Sequence, residues 1–127
     1  MSYLAIDFGT KRVGVAVSRG TLAVPLVVLA NEENLFEELL KIIEQEETQK
    51  IIVGLSENEM ALKTEEFVRK LKAKTEIPVE FADETLSSHE VEQRLQNQGI
   101  KHKVRSGPID HFAAAIILEN WLEQQQF

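Results

Sequence analysis

The sequence predicts an α/β fold on a five-stranded mixed sheet, and three observations carry that prediction. Three apolar, alternating stretches come first, with no helical pattern between them. Two further short apolar runs follow, each preceded by a stretch whose apolar residues recur at helical spacing. The last part of the chain reads as helix. Three consecutive strands make an antiparallel meander, whereas strand–helix–strand units require parallel crossovers, so the sheet must be mixed.

Each element has its own signal. Residues 3–7 and 12–18 alternate and read as paired strands, with Gly9 and Thr10 in the turn between them. Residues 22–29 read as a third, edge-like strand, since Pro25 within it cannot donate a ladder hydrogen bond and belongs at an edge or at the strand start. In residues 35–46 the side chains Leu35, Phe36, Leu39, Leu40, Ile42 and Ile43 fall at helical spacing, with Asn34 as the expected N-cap. Ile51 to Leu55 is a continuous apolar run, as in a buried parallel strand. A second helix follows, with Leu62, Phe67, Val68 and Leu71 expected on one face. Residues 79–83, entered after Pro78, form the last strand. Residues 87–97 read as a helix capped by Ser87 or Ser88, and the final helix runs from 108 or 109 to about 123. The order βββαβαβαα is that of the ribonuclease H-like architecture. A flavodoxin-like fold suits three consecutive strands less well.

Length and composition fit one domain over residues 1–127, large enough to bury a core. The net charge is −7, which argues against a general nucleic-acid coat but leaves room for a local basic patch. There is no cysteine, so neither disulfides nor thiolate metal sites can form. No stretch is long and apolar enough to span a bilayer, and the first residues lack signal-peptide character, so a cytoplasmic location without membrane association is expected.

The stretch Leu4 to Ser18 is the most informative. An apolar strand ends in the carboxylate Asp7, a glycine turn carries Lys11 and Arg12, and a second apolar strand follows. A carboxylate delivered to the centre of a sheet needs a partner, and a metal ion is a good one. Asp83 and Glu84 end the last strand, and Asp110 lies early in the final helix, where Ala113, Ala114 and Ala115 permit close approach to the sheet. With the first and last parallel strands near neighbours, these acids could converge. Hard cations prefer such oxygen ligands, and two Mg²⁺ ions about 4 Å apart can clamp the attacking and leaving oxygens of a phosphodiester. Lys101, Lys103 and Arg105 form a short basic run between Gly99 and Gly107, placed to meet a phosphate backbone near Asp110. Each feature also has a local reading. Asp7 can cap its turn, Asp83, Glu84 and Asp110 can favour helix N-termini, and the basic run can be a solvated loop. His89, His102 and His111 are not spaced as a metal cluster, and Trp121 and the phenylalanines are expected in the core.

Four segments, Asp7 to Ala16, Ile52 to Leu55, Asp83 to Ser88 and Asp110 to Ala114, resemble the YqgF (RuvX) family of Holliday-junction resolvase-like proteins, and the likeness covers essentially the whole chain. The resemblance implies a ribonuclease H-like fold and a divalent-metal endonuclease, using Mg²⁺ or Mn²⁺ and two ions, that matures the 5′ end of pre-16S ribosomal RNA. By matching positions, the catalytic acids would be Asp7, Glu84 and Asp110, with Asp83 as a further metal ligand. Lys11, Arg12, Lys101, Lys103 and Arg105 are the candidate nucleic-acid contacts, and a ribosomal particle is a candidate partner. The chain departs from the family pattern in two places. Gly54-Leu55 leads to Ser56-Glu57-Asn58-Glu59 rather than to a proline, which makes Glu57 and Glu59 possible extra ligands, and Thr85 stands where an arginine is usual.

Two other classes stay open at this point. Asp7-Phe8-Gly9-Thr10 also opens the sugar-kinase and actin-like ATPases, although those need two such lobes. A non-catalytic nucleic-acid-binding or ribosome-assembly protein would carry the same basic residues without binding metal. The residues do not choose between RNA and a four-way DNA junction, which would call for a two-fold dimer.

Overall fold

The computed structural model describes residues 2–55, 60–83 and 110–125, with the backbone alone at Asp83, Asp110 and His111. The elements are β1 (Ser2–Phe8), β2 (Arg12–Arg19), β3 (Leu22–Ala30), α1 (Leu35–Gln45), β4 (Thr48–Leu55), α2 (Met60–Lys74), β5 (Val79–Asp83) and α3 (Asp110–Gln124). The helix expected over residues 87–97 lies outside the described residues. The sheet has the order β3-β2-β1-β4-β5. The three-stranded meander is antiparallel, and β4 and β5 add to it in parallel. β4 stands between β1 and β5, so the first and last parallel strands are one strand apart rather than adjacent.

Strand alternation divides the core between the two faces. Leu4, Ile6, Val13, Val15, Val17, Ile51 and Val53 pack with Leu35, Leu39 and Ile43 of α1 and with Phe67, Val68 and Leu71 of α2. Ala5, Ala16 and Ile52 face α3, which contributes Ala114, Ala115, Ile117, Leu118 and Trp121. Fully burying a side chain such as Leu4 or Ile51 contributes roughly 1.5–3 kcal/mol. An exposed ion pair such as Lys70–Glu66, 3.3 Å apart, contributes about 0–1 kcal/mol, so apolar burial decides stability.

β3 is an edge strand, a position that Pro25 allows, and the register shifts between Val15 and Ala16 where Pro25 is accommodated. The tight turn after β2 uses Gly20 at φ 66°, a conformation that side chains disfavour. β4 begins at Thr48, three residues before its apolar run, because parallel pairing with Ser2 and Tyr3 extends it.

One local expectation holds in position only, and two are corrected. Asn34 holds the N-cap position of α1, but its φ of −88° and ψ of 7° are nearly helical and its side chain makes no capping hydrogen bond. Leu62 is 74% exposed, because the buried face of α2 is set by Thr64, Phe67, Val68 and Leu71. Phe81, on the edge strand β5, and Phe112, in the first turn of α3, are exposed rather than core. Trp121 is buried as expected.

Candidate active site

The C-terminal ends of the parallel strands β1, β4 and β5 lie side by side, so Asp7 and the backbone of Asp83 share one end of the sheet. Asp7 is the penultimate residue of β1, the central strand, and is half-buried. It alternates with Ile6 and Phe8 and therefore belongs with Tyr3 and Ala5 on the face covered by α3. Its cross-strand partner on β2 is Gly14. On β4, Val53 pairs with Ile6, so the next position toward the strand end is Gly54, which in turn pairs with Ala82 of β5. The row across the sheet at Asp7 is thus Val28, Gly14, Asp7, Gly54 and Ala82, with a glycine on each side of the aspartate. No bulky neighbour on the sheet crowds the carboxylate. The sequence contained these glycines, but their role depends on the register and could not be read before pairing was known.

The hairpin loop after Phe8 is fixed by Asn31, a residue the sequence reading did not single out. Its side-chain amide donates to the Gly9 carbonyl at 2.8 Å, and its backbone N–H donates to the Lys11 carbonyl at 2.9 Å. A Cβ on Gly9 would lie 2.6 Å from the Arg12 carbonyl oxygen, a contact that backbone must move to relieve. Gly9→Ala is therefore expected to destabilise the protein by about 1–3 kcal/mol and to disturb the strand end that carries Asp7. Urea denaturation checks the stability, and an unchanged midpoint would show that the loop yields freely. Lys11 on this loop and Arg12 at the start of β2 are both exposed.

The direction of α3 follows from its C-terminal anchor. The Trp121 ring lies 4.9 Å from that of Tyr3, tilted by 58°, and its indole N–H donates to Glu80. Lys50 sits 5.5 Å from the Trp121 ring centre and 3.9 Å from the Glu80 carboxylate. These partners lie near the beginnings of β1, β4 and β5. From Trp121 back to Asp110 the helix spans about 16 Å, against about 13 Å along β1 from Tyr3 to Asp7. The helix is at least as long as that stretch of β1, and its small residues Ala113, Ala114 and Ala115 are buried.

Of the expected ligands, only Asp7 has a described side chain. The carboxylates of Asp83 and Asp110 lie outside the description, as do Glu84, Glu57 and Glu59 and the basic residues Lys101, Lys103 and Arg105. Among the described residues no group of three or more His, Asp or Glu is arranged to hold a metal. The Asp7 position nevertheless fits a hard divalent cation, since it offers a carboxylate oxygen donor flanked on the sheet by glycines. No helix among the described residues is long and apolar enough to cross a membrane.

A five-stranded mixed sheet in this order, with helices on both faces, defines the ribonuclease H-like class. T. thermophilus RuvC in complex with a Holliday junction substrate shares the fold, with a TM-score of 0.63 at 18% identity over 98% of this chain and 95% of that one. The RuvX family model, described as Holliday junction resolvase, matches residues 1–124. Curated relatives carry the provisional name pre-16S rRNA nuclease. The protein of Maridesulfovibrio salexigens is 39% identical over 96% of this chain and 98% of its own length. That of Nitratidesulfovibrio vulgaris is 36% identical over 96% and 93%, and that of Crocosphaera subtropica 32% over 99% and 95%. The chain belongs to the RuvX family.

Proposed function

We propose that this protein is a divalent-metal-dependent nuclease that hydrolyses phosphodiester bonds in the maturation of the 5′ end of pre-16S ribosomal RNA. The observation that carries the reading is the placement of Asp7 at the end of the central strand, beside Gly14 and Gly54, in a chain whose relatives bear a pre-16S rRNA nuclease name. Asp7, Glu84 with Asp83, and Asp110 would hold the cations. When bound, a pair of Mg²⁺ or Mn²⁺ ions supplies an activated water and neutralises charge on the leaving oxygen.

The chain's own residues position and attract. Asp7 is held by a strand paired on both sides, so its carboxylate needs little ordering when the site loads. Asn31 fixes the adjoining loop, which presents Lys11, with Arg12 next to it at the start of β2, to a phosphate backbone. Lys101, Lys103 and Arg105 add positive charge in an otherwise acidic chain. Contacts of this kind orient a strand without reading its sequence. A ribosomal particle is the proposed setting and the cytoplasm the proposed location. A four-way DNA junction is the second reading, favoured by the description of the family model.

The cation dependence tests the chemistry. Mg²⁺ or Mn²⁺ is expected to support cleavage. Ca²⁺ is expected to bind but to support a rate lower by more than about tenfold, because its looser coordination does not hold the in-line geometry. Cleavage undiminished in excess EDTA would overturn the metal mechanism.

A further inference from the structure

A cavity of about 430 Å³ opens on the opposite face of the sheet from Asp7, between the hairpin loop and α2. Its size falls within the roughly 300–1,000 Å³ of small-ligand sites. Phe8, Phe36 and Phe67 line it, together with Thr10, Lys63, Lys70 and the carboxylate of Glu66. The three rings form one stack. Phe8 and Phe67 are 4.5 Å apart at 24°, and Phe36 and Phe67 are 5.5 Å apart at 19°. Phe67 is buried, Phe8 and Phe36 retain partial exposure, and the Lys74 ammonium lies 5.3 Å from the Phe36 ring centre, which leaves Phe8 as the partly exposed ring of the stack with no cation over it among the described residues. Lys63 and Lys70 are exposed at the cavity, and the pairing of Lys70 with Glu66 at 3.3 Å is a solvent-exposed one that a phosphate can replace. Aromatic faces beside two lysines suit a flat base carrying a phosphate.

The cavity is also tied to the candidate active site. Phe8 directly follows Asp7, and Thr10 and Asn31 belong to or hold the loop that separates the two faces. A strand passing around this end of the sheet can meet Asp7 on one side and the aromatic stack on the other.

We propose that this cavity binds a single nucleotide unit of the substrate strand, the base against the phenylalanine stack and the phosphate at Lys63 and Lys70. The proposal rests on the nuclease reading for its choice of ligand. Stacking reads no particular base, so the site anchors a strand rather than selecting a sequence.

Titration with uridine 5′-monophosphate in EDTA, read by the backbone amide NMR signals, tests it without requiring metal or cleavage. Saturable shifts are expected at Thr10, Asn31, Lys63 and Lys70. The surface substitutions Lys63→Ala and Lys70→Ala together should weaken binding of the mononucleotide and of a short single-stranded RNA by about tenfold. Asp7→Asn should leave mononucleotide binding intact. The absence of saturable shifts, equal binding of ribose 5-phosphate, or unchanged affinity in the double variant would overturn the proposal. The two readings fail separately. Cleavage of RNA with no nucleotide bound here sinks the cavity site alone, whereas a saturated cavity in a protein that cuts nothing sinks the nuclease alone.

Discussion

Asp7→Asn is expected to abolish metal-dependent cleavage while the fold persists. The substitution keeps the size of the side chain and removes the charge proposed to hold a cation. Loss of a residue that merely supports a metal ligand typically costs about 10–100-fold in affinity or activity. Loss of a ligand itself should therefore cost at least about a hundredfold. Asp7 is half-buried at the end of a strand whose core residues Leu4 and Ile6 are untouched by the change. If the carboxylates of Asp83, Glu84 and Asp110 converge on Asp7 as proposed, relief of their repulsion in the absence of metal should leave the variant as stable as the parent or more so. Initial cleavage rates and thermal melting, measured side by side, separate the two effects. A fully active Asp7→Asn variant would remove Asp7 from the mechanism.

The largest effect on stability is expected at Trp121. This side chain joins α3 to the beginnings of β1, β4 and β5 through Tyr3, Lys50 and Glu80. Truncation to alanine removes a buried ring and leaves the Glu80 carboxylate without its indole partner. Core tryptophan-to-alanine changes cost about 3–5 kcal/mol, a large part of the 5–15 kcal/mol that keeps a domain folded. Trp121→Phe should keep most of the packing and lose the hydrogen bond, for a cost nearer 1–2 kcal/mol. Chemical denaturation measures both. Since α3 also carries Asp110, the alanine variant should lose activity at temperatures where the phenylalanine variant retains it. A cost below about 1 kcal/mol for Trp121→Ala would mean that the helix is held elsewhere.

Much of the fold was legible because local pattern and tertiary role coincide. β5 runs from Val79 to Asp83 as predicted, entered after Pro78 and continued by an alternating stretch. The edge position of β3 is one of the two places that Pro25 allowed, because proline cannot donate a ladder hydrogen bond. The misses have the opposite character. Thr48, Gln49 and Lys50 are too polar to announce a strand, yet pairing with β1 makes them one. Leu62 was assigned to the helix interior by its hydrophobicity, whereas the spacing of Thr64, Phe67, Val68 and Leu71 excludes it.

At the candidate site, Asp7 could be found because a lone carboxylate closing an apolar strand is costly without a partner. Asn31 could not, because its hydrogen bond to Gly9 joins the loop after β1 to the residue that follows β3 and leaves no periodic trace. Gly14 and Gly54 read as ordinary strand glycines until the register set them beside Asp7. The aromatic stack of Phe8, Phe36 and Phe67 likewise draws on three separate elements.

The most direct measurement is cleavage of a matched panel by the purified protein and its Asp7→Asn variant. The panel comprises precursor ribosomal RNA, single-stranded RNA, duplex DNA and a four-way DNA junction, each with and without Mn²⁺. The expected result is Mn²⁺-dependent cutting of the precursor RNA by the parent protein, lost in the variant. Efficient cutting of the junction with the precursor RNA untouched would contradict the substrate assignment and leave the metal chemistry standing. Absence of Mn²⁺-dependent cutting across the whole panel would contradict the nuclease reading itself.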